Sequence, residues 1–142
     1  MGQQQLLLVI LVTIIVGIAT VVAINTFGSA ADSANLDAVR QDMASIAASA
    51  QGYYMKPTGL NGGGQDFTGM TFEDLAFGGD INAADATIAT NSNGTYKLGT
   101  GSDVAISLTA APSSADGYTE GSTGTGEDIT GTIKRDNLAF DS

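Results

Sequence analysis

The stretch LLLVILVTIIVGIATVVAINTF, Leu6–Phe27, decides how the chain is read. Its 22 residues hold fifteen large apolar side chains: Leu6, Leu7, Leu8, Val9, Ile10, Leu11, Val12, Ile14, Ile15, Val16, Ile18, Val21, Val22, Ile24 and Phe27. None is charged, and the first formal charge in the chain is Asp32. A helix of that length rises about 33 Å at about 1.5 Å per residue, enough to cross a bilayer core of about 30 Å. An all-round apolar helix cannot lie on the surface of a soluble domain, because it has no polar face to turn to water. It must be surrounded by lipid or by other apolar helices. Gly17, Ala19 and Ala23 allow such helices to approach closely.

A cleavable secretion signal fits poorly. It needs a positive n-region and a shorter apolar run, and the chain opens Met-Gly-Gln-Gln-Gln. Myristoylation at Gly2 requires Ser or Thr at position 6, where Leu6 stands. A permanent single-span anchor fits the length and composition. It lacks flanking Lys or Arg on the N-terminal side to set its orientation.

The next segment, GSAADSANLDAVRQDMASIAASAQGYY, changes character. Leu36, Val39, Met43, Ile46, Ala50 and Tyr53 recur at alternating steps of three and four, the stripe of an amphipathic helix. Asp32, Asp37, Arg40, Gln41 and Asp42 occupy other faces. The pattern predicts one continuous helix ending near Gln51–Gly52, with Pro57 and Gly59 beyond it and Gly28-Ser29 as its one weak point.

The remainder is rich in Gly, Ser, Thr, Ala and Asp. ATIAT and TYKLGT flank NSNG, a hairpin signal. DVAISLTA places Val104, Ile106 and Leu108 on one face, and DITGTIKR places Ile129, Gly131 and Ile133 on another. NLAF supplies apolar residues to tuck under a sheet, while the low-complexity run APSSADGYTEGSTGTGE reads as an exposed loop. The expectation is an α+β chain. Residues 1–28 form the transmembrane or core half of a long helix, and residues 29–52 form its amphipathic half. Residues 53–142 form a β-rich head of three or four antiparallel strands. Leu36, Val39, Met43, Ile46 and Tyr53 are the expected contacts between helix and head. With few large apolar residues and no disulfide, such a head is marginal alone.

Composition removes several functions. Fifteen acidic residues against five basic ones give a net charge of −10, which opposes binding to a phosphate backbone. The five cations (Arg40, Lys56, Lys97, Lys134, Arg135) are too scattered along the sequence to make a basic stripe. The chain has neither His nor Cys, so it lacks the commonest general base and any thiolate chemistry. No catalytic constellation, metal site or cofactor motif is expected, and an enzyme ranks last among the functional classes. Gly62-Gly63-Gly64 lacks the Lys and following helix of a phosphate loop and reads as a flexible turn. Asp116, Glu120, Glu127 and Asp128 do not follow EF-hand spacing and read as solvated charge. Asn93-Gly94-Thr95 is a formal N-glycosylation sequon on a turn, although Asn-Gly is also a favoured hairpin pair. The nine Phe and Tyr residues form no continuous ladder for electrons.

A neutral apolar half-helix followed by a striped half and a small β-rich head resembles the type IV pilin superfamily, which includes the pseudopilins of type II secretion and archaeal filament subunits. The residues that carry the resemblance lie mainly in 1–54. AASAQGYYMKP and GGGQDFTG, with the opening MGQQQLLL, are similar to a group of bacterial pilin-like proteins. The resemblance implies an extracellular filament built as a homopolymer through Leu6–Phe27, with the subunit held in the inner membrane before assembly. It also implies a prepilin peptidase and a pilus assembly machinery as partners. Many pilins carry Glu at mature position five to pair with a neighbour's terminal amine. This chain has Gln5, which can accept a hydrogen bond from an ammonium group but cannot neutralise it. Met1, Gly2, Gln3 and Gln5 are therefore the residues for N-terminal processing and helix capping, with Met1 or Gln3 as the mature start. The other readings of the chain are a single-span membrane protein with an extracytoplasmic binding head, and a minor pseudopilin of a secretion system.

Overall fold

The computed structural model describes residues 2–141. One helix, α1, runs Gly2–Met55, followed by two single-turn 3-10 helices at Thr58–Leu60 and Phe72–Asp74. Six strands come next: β1 Asp80–Ile81, β2 Ile88–Thr90, β3 Gly94–Leu98, β4 Ala105–Pro112, β5 Ile129–Lys134 and β6 Leu138–Phe140. By internal contacts the chain forms two units, Met1–Ala34 and Asn35–Ser142. The boundary between the units lies within α1.

In the second unit the strands form one antiparallel meander in the order β1-β2-β3-β4-β5-β6. The sheet has six strands, where the sequence suggests three or four. The additional pairs are the edges. β1 pairs only Asp80 with Thr90 and Ile81 with Ala89, and β6 pairs Gly131, Thr132 and Ile133 with Phe140, Ala139 and Leu138. β1 and β6, of two and three residues, are too short to show an alternating pattern, whereas the three-residue β2 is marked by the NSNG turn that follows it. The four middle strands match the expected segments, and β2 and β3 are joined through residues 91–93.

The core of this unit lies between one face of the sheet and the C-terminal part of α1. Val39, Met43, Ile46, Ala47 and Ala50 come from the helix. Ala89, Tyr96, Leu98, Ile106, Leu108, Ala110 and Ile133 come from the strands, and Phe67, Met70, Phe72 and Leu75 from the segment between. Gly131 makes room for β6, since a β-carbon there would lie 3.1 Å from the Leu138 side chain and 3.2 Å from the Ala139 carbonyl, with the Met43 methyl at an ordinary contact distance of 3.5 Å. Val104 departs from expectation. It precedes β4 and is 64% exposed, while Ile106 and Leu108 are buried.

The end of α1 explains the glycine triplet. A helix leaves its last carbonyls without intrahelical partners. Here Gly63 N–H donates to Tyr53 O (2.8 Å), Gly64 N–H to Lys56 O (2.9 Å) and Gln65 N–H to Tyr54 O (2.8 Å). A side chain at Gly63 would run into the Asp66 carbonyl and the Tyr53 ring, and Gly64 sits at φ 60°. Gly62 N–H donates to Pro57 O (3.2 Å), so all three N–H groups of the triplet are spent on the helix end and the turn that follows it, and the triplet is a fixed cap. This is also why α1 continues to Met55 past the expected stop at Gln51–Gly52. The carbonyls of the extra turn find partners, and Tyr53 and Tyr54 pack against the core.

Candidate functional site

In the first unit α1 carries all fifteen large apolar residues of Leu6–Phe27 outward, from 47% exposed at Ile10 to 75% at Phe27. The segment meets the length and hydropathy required to cross a membrane, with a mean hydropathy of 3.2 in its most apolar window and none of that window buried. Its polar groups are quiet. The hydroxyls of Thr13, Thr20 and Thr26 donate to the carbonyls of Val9, Val16 and Val22, each at 2.8 Å. A hydroxyl bonded to its own helix can enter an apolar environment without stranding a donor. Gly2, Gln3 and Gln5 lie within α1 and are exposed, and Met1 lies outside the described residues.

The second unit contains the expected stripe. Val39, Met43 and Ile46 are at most 2% exposed, Leu36 is half-buried, and Tyr53 packs against the core from its edge. Full burial of a side chain of this size contributes about 1.5–3 kcal/mol. The stripe is wider than the alternating spacing suggests, because Ala47 is buried as well.

The spacing places Asp42 off the apolar stripe, and the structure makes it the polar pin of the unit. Asp42 Oδ2 accepts hydrogen bonds from Asn91 Nδ2 (2.8 Å), Asn93 Nδ2 (2.8 Å) and Tyr96 OH (2.7 Å). One helical carboxylate therefore fastens the β2–β3 hairpin to α1. Burial pushes the Asp42 carboxyl up, but the bonds from Asn93, Asn91 and Tyr96 outweigh it and hold the group below the usual carboxylate range. Burial, together with the bond to Asp42, pushes the Tyr96 phenol far above its ordinary value. Asn35 makes a second fastening. Its Nδ2 donates to Asn93 O (2.9 Å), and its Oδ1 accepts from Ser114 Oγ (2.9 Å). The only sequence signal for these pins was Asp42 standing one position from the buried Met43 on an otherwise small-residue helix.

The sequon is absorbed into this network. The Asn93 amide nitrogen is held by Asp42, and Thr95 is fully buried with its hydroxyl beside those of Thr90 (3.2 Å) and Tyr118 (3.1 Å). A sugar on Asn93 Nδ2 would have to take the place of the Asp42 contact. Of the acidic cluster, Asp128 accepts from Thr125 N (3.1 Å) and Oγ1 (2.7 Å), and Glu127 accepts from Asp116 N (3.3 Å). Among the described residues, no three Asp or Glu side chains come together in a way that could hold a metal ion.

The one ion pair among the described residues is Arg40–Asp37 at 3.4 Å, both exposed. Lys56 and Arg135, far apart in sequence, both border the end of α1, where Arg135 lines a shallow depression with Tyr54, Met55 and Gln65. Comparison with protein-family models, with curated proteins and with solved structures gives no match.

Proposed function

We propose that the chain is a structural subunit of an extracellular type IV pilus-like filament, polymerising through Leu6–Phe27. The supporting observation is the uncharged helix of the first unit, with fifteen large apolar side chains exposed and its threonine hydroxyls already bonded to its own backbone. Such a surface tolerates lipid and tolerates copies of itself. It sits in the inner membrane before assembly and against neighbouring helices afterwards. The role is structural: the head supplies a folded surface, and no residue is assigned to chemistry. The resemblance in residues 1–54 adds a prepilin peptidase acting near Met1–Gln3 and an assembly machinery as partners.

Burying fifteen such side chains amounts to tens of kcal/mol gross at about 1.5–3 kcal/mol each. Most of this is already supplied by lipid, so packing between repeated subunits decides assembly. The test is removal of residues 1–28, with sedimentation and negative-stain imaging beside the full chain. The truncated protein is expected to be soluble and non-polymerising. Filaments of unchanged width from the truncated protein would overturn the reading. A full chain that stays monomeric in membranes would favour a single-span anchored binding protein instead.

A further inference from the structure

We propose that the end of α1 is a docking surface for the acidic β4–β5 loop of a second copy of this chain. The inference rests on the filament reading and deepens it, by naming the contact between heads. The surface centres on the depression lined by Tyr54, Met55, Gln65, Arg135 and Asp136, and Lys56 and Leu60 follow Met55 in the chain. Met55 is 71% exposed and Leu60 64%, although both belong to a unit that buries most of its large apolar side chains. Lys56 and Arg135 are exposed and outside the chain's one ion pair among the described residues. Of the five cations in a chain of net charge −10, Arg135 lines the depression beside Met55, with Asp136 as the acid lining it, and Lys56 directly follows Met55 in the chain.

The complementary surface lies at the other end of the same sheet. β5 leads from the β4–β5 loop at Ile129 to the Arg135 turn after Lys134, and its six residues span about 20 Å at about 3.4 Å each. The loop, residues 113–128, carries Asp116, Glu120, Glu127 and Asp128 and no Lys or Arg. It is held in shape: Gly121 N–H donates to Thr95 Oγ1 (3.0 Å), Ala115 is buried, and Ser114 is bonded to Asn35. Asp116, Glu120 and Glu127 remain exposed at its surface. The two surfaces have opposite charge and sit at opposite ends of one unit, so they cannot meet within a molecule. Between molecules they make a head-to-tail contact, which builds an open filament where its rotation does not close a ring. Each added subunit presents a fresh copy of both surfaces.

Charge exchange in the full chain tests the contact. Lys56→Glu with Arg135→Glu is expected to lower the pelleted, filamentous fraction at least fivefold. Asp116→Lys with Glu120→Lys should do the same. Combining all four should restore it to within twofold of wild type. A combined variant no better than the weaker pair overturns the contact. Because the chain has no cysteine, Arg135→Cys with Glu120→Cys gives an independent readout with a short bis-maleimide. A ladder of trimers and longer species supports the contact, whereas each single-cysteine variant can reach only a dimer. Filaments that form but give no ladder overturn the contact and leave the filament reading intact. A ladder from detergent-solubilised subunits that never form filaments overturns the filament reading and keeps the contact.

Discussion

Ile46 and Gln41 are close along the same helix and differ in one respect, which is what each side chain faces. Ile46 is 2% exposed and Gln41 is exposed. An aspartate at 46 places a carboxylate in the core without a partner, at a cost of several kcal/mol. Ile46→Asp is expected to unfold the second unit, while Gln41→Asp changes its unfolding free energy, read by denaturant titration, by less than about 0.5 kcal/mol. Equal losses from the two variants would show the face assignment to be wrong. Asp42 gives a pH signature. Its folded-state pKa is held below the ordinary value of about 3.9, so the fold gains stability wherever the unfolded carboxyl is already ionised. That gain is complete above the unfolded value and is lost as the pH falls from there through the depressed folded value. The wild-type melting temperature should therefore drop more steeply below pH 4 than that of Asp42→Asn, and parallel curves would remove Asp42 from the account. Asp42→Ala strands up to three donors at about 1–3 kcal/mol for a buried unmet group. The exposed Arg40–Asp37 pair is worth about 0–1 kcal/mol. The pin, not the ion pair, is the polar interaction to test. Hydrophobic spacing revealed Val39, Met43 and Ile46, whereas Asp42 was hidden because its three donors lie 49 to 54 residues away.

At the scale of elements, long periodic segments were legible and short ones were not. The helix was readable from the absence of charge over its first 31 residues and from the stripe that follows. The β2–β3 hairpin was readable from alternation on either side of an Asn-Gly pair, and β4 and β5 from their own alternation. β1 and β6 were invisible because strands this short are defined by the neighbour they pair with, and no Asn-Gly pair adjoins them as one does the equally short β2. The glycine triplet was misread for a related reason, since the carbonyls it bonds belong to Tyr53 in the last turn of α1 and to Lys56 and Pro57 just beyond it. Gly63→Ala tests that assignment. The added methyl group meets the Asp66 carbonyl, so the cap must open to admit it. The expected outcome is a loss of about 1–3 kcal/mol, with faster amide exchange at Gly63, Gly64 and Gln65. Gly69→Ala, where nothing lies within 4 Å but φ is 76°, is expected to lose less stability and to leave exchange at the cap unchanged.

For the whole molecule, the apolar half of α1 is an obligation placed on the surroundings, because no other part of the first unit covers it. Val16→Lys puts a charge within it. On the insertion scale that costs about 2.5–3.5 kcal/mol near a bilayer centre, which a long apolar segment can absorb. Between packed helices there is neither water nor a counter-ion to accept it. The variant is expected to fractionate with membranes and to be missing from sheared surface material, as read by immunoblot of both fractions. Equal recovery in the sheared fraction would place Val16 outside the assembled core. The meander described above also has a consequence for the order of events during synthesis. Every strand pairs with its neighbour in sequence, so each sheet contact except β4–β5, which spans residues 113–128, can close a short loop as the chain lengthens. The most distant partner is α1, and it is made first, followed by the segment that carries Phe67, Met70, Phe72 and Leu75. A nascent sheet would thus meet a finished helix already presenting Val39, Met43 and Ile46, and each hairpin could shelter its apolar face on arrival. Co-translational folding would then run from the membrane side outward, with β6 the last strand to be added.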